Sequence, residues 1–198
     1  MMNSLIRSIA AVLVVSMLSG CAALVVGGAA ATGMAVHDRR SVGTVVDDRM
    51  LRVRVSDALH RHEAFDSNTR LRILAYNGWV LLAGEAYDEE RVELAEEIVN
   101  DVNGVRRVIN ELEPMERVSV GQTSTDRWIS SKVNTSLTRI RGLDGFDPTR
   151  VKVITARNIV YLMGLVSSEE AEAAIEEART VRGVERVITA FEYLDEAA

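Results

Sequence analysis

The sequence from Arg70 to Gly84, RLRILAYNGWVLLAG, reappears from Arg150 to Gly164 as RVKVITARNIVYLMG, an offset of 80 residues. Gly104-Val105-Arg106-Arg107-Val108-Ile109 returns as Gly183-Val184-Glu185-Arg186-Val187-Ile188 at an offset of 79. Val55 and Leu59 return as Val133 and Leu137 at an offset of 78. Spacing kept inside elements and shifted between them marks a duplicated domain. Two copies of this length are tandem domains, since a solenoid needs more repeats to bury its faces.

Each copy reads as α-β-β-α-β. Leu51, Val55 and Leu59 recur with helical period, as do Ile129, Val133, Leu137 and Ile140, so the first helices are expected near 48–62 and 126–141. Asp48, and Thr125 or Asp126, are candidate N-caps. Leu71, Ile73 and Ala75 alternate with polar residues, as do Val151, Val153 and Thr155, and a second strand follows at 79–83 and 159–163. Asn77-Gly78 is a hairpin-turn signal that Arg157-Asn158 matches less well. The second helices follow Asp88 and Ser167 or Ser168, and Gly104 and Gly183 are read as C′ glycines. Third strands are expected at 105–112 and 184–193. The class is α+β, with a three-stranded mixed sheet on two helices in each copy. Units this small hold marginal cores, so the two copies are expected to lean on each other.

The N-terminus has a different character. Arg7 precedes an apolar stretch from Ser8 to Leu18, which ends Leu18-Ser19-Gly20-Cys21. A basic start, a short apolar run and a small-residue exit make a secretory signal. Eleven helical residues rise only about 16 Å, too little for a bilayer core of about 30 Å. An uncleaved spanning helix through Val36 is the alternative, weakened by Gly20, Gly27, Gly28 and Gly33. Cys21 is the only cysteine, so neither an internal disulfide nor a cysteine-rich metal site can form. The ending resembles the bacterial lipobox. That resemblance implies cleavage after Gly20, S-diacylglycerol and N-acyl (palmitate-type) chains on Cys21, and, with Ala22 next, an outer-membrane destination. The expected order is a signal peptide at 1–20, a lipidated tether at 21–46, domain 1 at 47–115, a linker at 116–123, domain 2 at 124–194 and a tail at 195–198.

The two αββαβ units, each with a strand ending in Gly before a helix and a Gly-Val-x-x-Val third strand, resemble BON domains. Arg40-Ser-Val-Gly-Thr-Val-Val-Asp-Asp48 and Asp126-Arg-Trp-Ile-Ser-Ser-Lys-Val133 resemble segments of dual-BON-domain outer-membrane lipoproteins, in particular the division- and outer-membrane-stress-associated lipid-binding lipoproteins. The resemblance implies a periplasmic, outer-membrane-anchored protein whose second BON domain binds anionic phospholipid. It also implies enrichment at the division site and a role in envelope integrity. The Arg39-Arg40 pair is a departure that adds charge to the tether.

The residues offer a site for such binding. Trp128, Lys132, Thr135 and Arg139 fall on one stripe of the first helix of domain 2, flanked by Arg127 and Arg141. An indole at headgroup depth beside cations for phosphates suits a lipid surface. Met50 and Arg54 take the places of Trp128 and Lys132 in domain 1, so lipid contact there is expected to be weaker. The alternative is a protein-binding adaptor for outer-membrane protein assembly or activation of cell-wall hydrolysis. A net charge of −6 argues against nucleic acid as a partner. His60 and His62 point to different helix faces, so no metal is expected, and no catalytic constellation or cofactor is expected beyond the lipids on Cys21.

Overall fold

The computed structural model describes residues 38–66, 69–143 and 145–194. The signal peptide, Cys21 and the tether up to His37 lie outside the described residues. Asp38 onward forms one compact unit. Domain 1 comprises α1 (Val42–Arg61), β1 (Arg70–Tyr76), β2 (Trp79–Ala86), α2 (Glu89–Asn100) and β3 (Arg107–Pro114). Domain 2 repeats the order with α3 (Val120–Leu137), β4 (Lys152–Ala156), β5 (Ile159–Val166), α4 (Ser168–Arg179) and β6 (Arg186–Tyr193).

In each sheet the middle strand pairs antiparallel with the first strand and parallel with the third. The parallel pair needs a crossover, and α2 and α4 supply it. Both helices of a domain therefore cover one face of its sheet. Leu51, Val55 and Leu59 of α1 meet Val80 and Leu82 of β2 and Ala95 and Val99 of α2. Ile129, Val133 and Leu137 of α3 meet Val160, Leu162, Ala174 and Ala178 in the same way.

The other faces of the two sheets pack together. Tyr76, Leu81 and Ala83 form one cluster with Ala156, Ile159, Tyr161, Met163 and Ala190. Side chains alternate along a strand, so Val80 and Leu82 face the helices while Leu81 and Ala83 face the second sheet. The molecule is thus a four-layer α/β/β/α sandwich. The expected leaning of the copies is a shared core, with α1 and α3 in opposite outer layers.

Three local expectations are corrected. First, the first helices begin six residues earlier than their apolar period suggests. Ser41 and Ser119 are the N-caps, accepting from the Thr44 and Gln122 amides at 3.1 and 3.2 Å. Residues 42–46, expected in the tether, and 120–123, expected in the linker, are helical. Second, α3 ends at Leu137, so Arg139, Ile140 and Arg141 lie beyond it. Third, Gly104 and Gly183 are not C′ residues. They sit in a turn after the cap, at φ +99° and +101°, closed by Val105 N–H to Val102 O and Val184 N–H to Val181 O.

The aspartates read as N-caps have another task. Asp48 accepts from the backbone N–H of Asn77 and Gly78 at 2.6 and 2.9 Å. Asp126 accepts from Arg157 and Asn158 at 3.2 and 3.0 Å. Each helix thereby grips the hairpin turn of its own domain. Both turns hold two successive left-handed residues, Asn77-Gly78 and Arg157-Asn158, as a type I′ turn requires. The Asp126 carboxylate offsets the weaker turn chemistry of Arg157-Asn158.

The Arg39-Arg40 pair also belongs to the fold. Arg40 lies over the Tyr76 ring at 3.6 Å and pairs with Asp38 and Asp48 at 2.6 and 2.5 Å. Burial pushes the Tyr76 hydroxyl up to about 12, against the pull of Arg40. Arg39 makes a two-point contact with Glu170 of domain 2 at 2.5 and 2.9 Å. Consecutive residues of the chain leading into α1 therefore fasten one to each domain.

Candidate functional site

A groove of 340 Å³ runs along α3, lined by Trp128, Ser131, Lys132, Thr135, Arg139, Thr180, Val181 and Arg182. Four of the five expected site residues meet in it. Trp128, Lys132 and Thr135 project from α3 at helical spacing, and Arg139 reaches the groove from the turn past its end. Arg127 does not line the groove; it is an exposed neighbour on α3. Arg141 donates to the carbonyls of Thr138 and Ile140 beyond the helix.

The far wall is the turn after α4, which supplies Thr180, Val181 and Arg182. Val181 is buried at the edge of the domain 2 core and fixes the turn. Gly183 lets this turn pack close to α3, since a Cβ there would come within 3.3 Å of Ile129 Cδ1. Arg182 was missed by sequence reasoning. Its one signal is its place in the repeat, immediately before the Gly183-Val184 that leads into β6, in a turn that packs against the first helix.

The groove has an aromatic and cationic character. Trp128 is 51% exposed, and Lys132 Nζ stands 3.5 Å from its ring centroid. That cation–π contact holds the indole and the ammonium side by side. Arg139 has a loose acidic neighbour, Glu177 at 3.8 Å. Thr135 and Thr180 donate their hydroxyls to the Ser131 and Glu177 carbonyls, leaving oxygen lone pairs toward solvent. The groove thus presents an apolar ring, three cations and hydroxyls on an open surface, which suits an anionic amphiphile.

Behind α3 lies a buried charge cluster. Asp126, two residues before Trp128, receives Arg70 Nη2 of domain 1 at 2.7 Å. Arg70 also pairs with Glu85 at 3.1 Å. Arg157 of domain 2 crosses to Gly84 O at 2.8 Å and to Glu85 and Glu113 at 3.4 and 3.2 Å. The helix that carries the groove is therefore pinned from behind by domain 1.

Domain 1 has a smaller depression of 270 Å³, lined by Asp47, Leu51, Arg54, Gly78, Gly104 and neighbours. It contains no tryptophan. Among the described residues no group of His, Cys, Asp and Glu is placed to hold a metal, and none of the helices is long and apolar enough to cross a membrane.

Comparison with known proteins gives a consistent picture. The BON domain family matches residues 47–113 and 125–195. The chain is 35% identical to the outer membrane lipoprotein DolP of Haemophilus influenzae, over 90% of this chain and 91% of that one. It is 38% identical to a 21 kDa hemolysin of Actinobacillus pleuropneumoniae, over 79% of each. Among solved structures, CdsD of the Chlamydia trachomatis type III secretion system aligns with a TM-score of 0.30 at 10% identity, over 72% of this chain and 91% of that one.

Proposed function

This chain belongs to the BON-domain family, with two copies, and to the lipoproteins of the DolP kind, and on that footing we propose that it is exported, lipidated on Cys21 and held at the periplasmic face of the outer membrane, where the α3 groove binds anionic phospholipid. The observation that carries the binding role is the half-exposed Trp128 with Lys132 over its ring, in one groove with Arg139 and Arg182. The indole would rest at headgroup depth while the cations meet phosphates. The overall charge of −6 does not prevent this. Charges more than about 8 Å away are screened at physiological salt, so the local cations dominate.

The lipid chains on Cys21 supply the strong attachment, and the groove adds a weaker, reversible one that responds to local lipid composition. Support of the envelope at the division site would follow from recognition of anionic lipid gathered there. We assign the chain no catalytic role.

The fragment 38–198 should sediment with liposomes containing phosphatidylglycerol and not with phosphatidylcholine alone. Each basic residue near an anionic surface contributes about 1 kcal/mol. Lys132→Glu both removes a cation and adds an anion, so it should weaken binding about thirtyfold. Trp128→Glu combined with Lys132→Glu should abolish it. Arg182→Glu should match Lys132→Glu, while reversal of Arg61, far along domain 1, should change little. Unchanged sedimentation of the Trp128/Lys132 double variant would reject the groove. It would leave the adaptor reading, with outer-membrane protein assembly or cell-wall hydrolase activation as the process served.

A further inference from the structure

All the large apolar side chains left exposed on α1 fall in one row. Val42, Val46, Met50 and Val53 are 54, 50, 51 and 47% exposed. At about 100° per residue they span about 80° of the helix, directly opposite the buried Leu51, Val55 and Leu59. A helix in an outer layer should present polar residues there. Single exposed apolar residues are ordinary, but an ordered row along a helix marks a contact surface.

We propose that this crest is where a second copy of the chain docks, α1 against α1, antiparallel about a two-fold axis near Met50. The charges beside the crest favour that occupant. In an antiparallel pair, residues whose numbers sum to about 100 stand at the same height. Val46 then meets the partner's Val53, and Met50 meets the partner's Met50. Asp47 meets the partner's Arg54 on one flank, twice by symmetry. Among the described residues neither Asp47 nor Arg54 has an ion pair. Asp57, which lies within the crest, meets the start of the partner's α1, where the helix dipole favours an anion. A two-fold contact must be self-complementary in this way. Around the crest Asp47 and Asp57 offset two of the three cations Arg49, Arg54 and Arg61, so an anionic bilayer gains little there, whereas a second copy can pair Asp47 with Arg54. Arg49 lies beside the axis, where its two copies repel.

The surface is separate from the α3 groove, in the opposite outer layer, so lipid binding and self-docking can fail independently. The test uses residues 38–198, one compact unit containing both cores. It lacks Cys21, so Met50→Cys introduces the only thiol. Under mild oxidation Met50→Cys should form a disulfide-linked dimer, and Val120→Cys, exposed on α3, should not. In sedimentation equilibrium, Val46→Asp should weaken dimerisation by about tenfold or more. Asp47→Arg and Arg54→Asp should each weaken it several-fold, and the two together should restore it. Arg49→Ser should tighten it. Liposome binding should be unchanged in each variant. The proposal is overturned by a fragment that stays monomeric up to millimolar concentration without Met50→Cys crosslinks. It is also overturned by a double charge swap that restores nothing, or by crest variants that lose lipid binding and leave dimerisation intact.

Discussion

Asp126→Ala should lower the stability of the folded unit by about 3–5 kcal/mol, seen as a fall in the denaturant midpoint at unchanged slope. The carboxylate is fully buried and accepts from four groups. These are Arg70 Nη2 at 2.7 Å, the Arg157 and Asn158 amides at 3.2 and 3.0 Å, and Gln122 Nε2 at 3.0 Å. Alanine leaves two turn amides without an acceptor and Arg70 with Glu85 alone. A buried charge that loses a partner costs far more than the intact pair contributes. The loss would also reach the groove, because Trp128 stands two residues further along α3 and the turn that Asp126 grips would be freed. Asp126→Asn retains one oxygen and should fall between alanine and the parent chain. A loss below about 1 kcal/mol for alanine would mean that water replaces the missing bonds and that the cluster is not sealed.

The second large effect separates two glycines in equivalent positions. A Cβ on Gly84 would lie 2.0 Å from the Arg70 carbonyl oxygen, and one on Gly164 would lie 2.4 Å from that of Arg150. Either alanine must therefore push the neighbouring backbone away, a packing cost of about 1–3 kcal/mol. Gly84 alone also has φ at +122°, a region that side chains avoid at a cost of about 1–3 kcal/mol. Gly84→Ala should therefore be the worse by about that second amount, and it displaces Arg70, the residue that pairs with Asp126. Comparing the unfolding midpoints of the two alanine variants checks the ordering. Equal losses would show that the backbone of β2 relaxes to ordinary angles once the glycine is replaced.

What the sequence disclosed follows from the range of each signal. Elements set by local periodicity, such as the α1 and α3 core residues and the Asn77-Gly78 turn, were legible because neighbouring residues specify them. The starts of α1 and α3 were not. Their first turns, Val42-Gly43-Thr44 and Val120-Gly121-Gln122, carry no core-facing period, so no local signal picks out the serine caps before them. Asp48 and Asp126 resembled caps because aspartate is a common one. Their true partners lie 29–32 residues away in the hairpin turns, a distance at which no local pattern exists. The sheet-on-sheet core was written in the unbroken apolar runs Val80–Ala83 and Ile159–Met163, since a strand buried on both faces loses its alternation.

The groove shows the same division. Trp128, Lys132 and Thr135 share a helix, and their spacing alone placed them together. Arg182 comes from a turn some fifty residues later, and only the folded packing of α4 against α3 brings it opposite. Arg39 reads as tether charge in the sequence because its partner, Glu170, belongs to the other domain.

An amide NMR titration of residues 38–198 with phosphatidylglycerol micelles is the most direct test of lipid binding in the α3 groove. The largest shifts should fall on Trp128, Ser131, Lys132, Thr135 and the Thr180–Arg182 turn, with the Trp128 indole N–H among them, and phosphatidylcholine micelles should leave those signals in place. Shifts centred on another face, or shifts of equal size with the zwitterionic lipid, would contradict it.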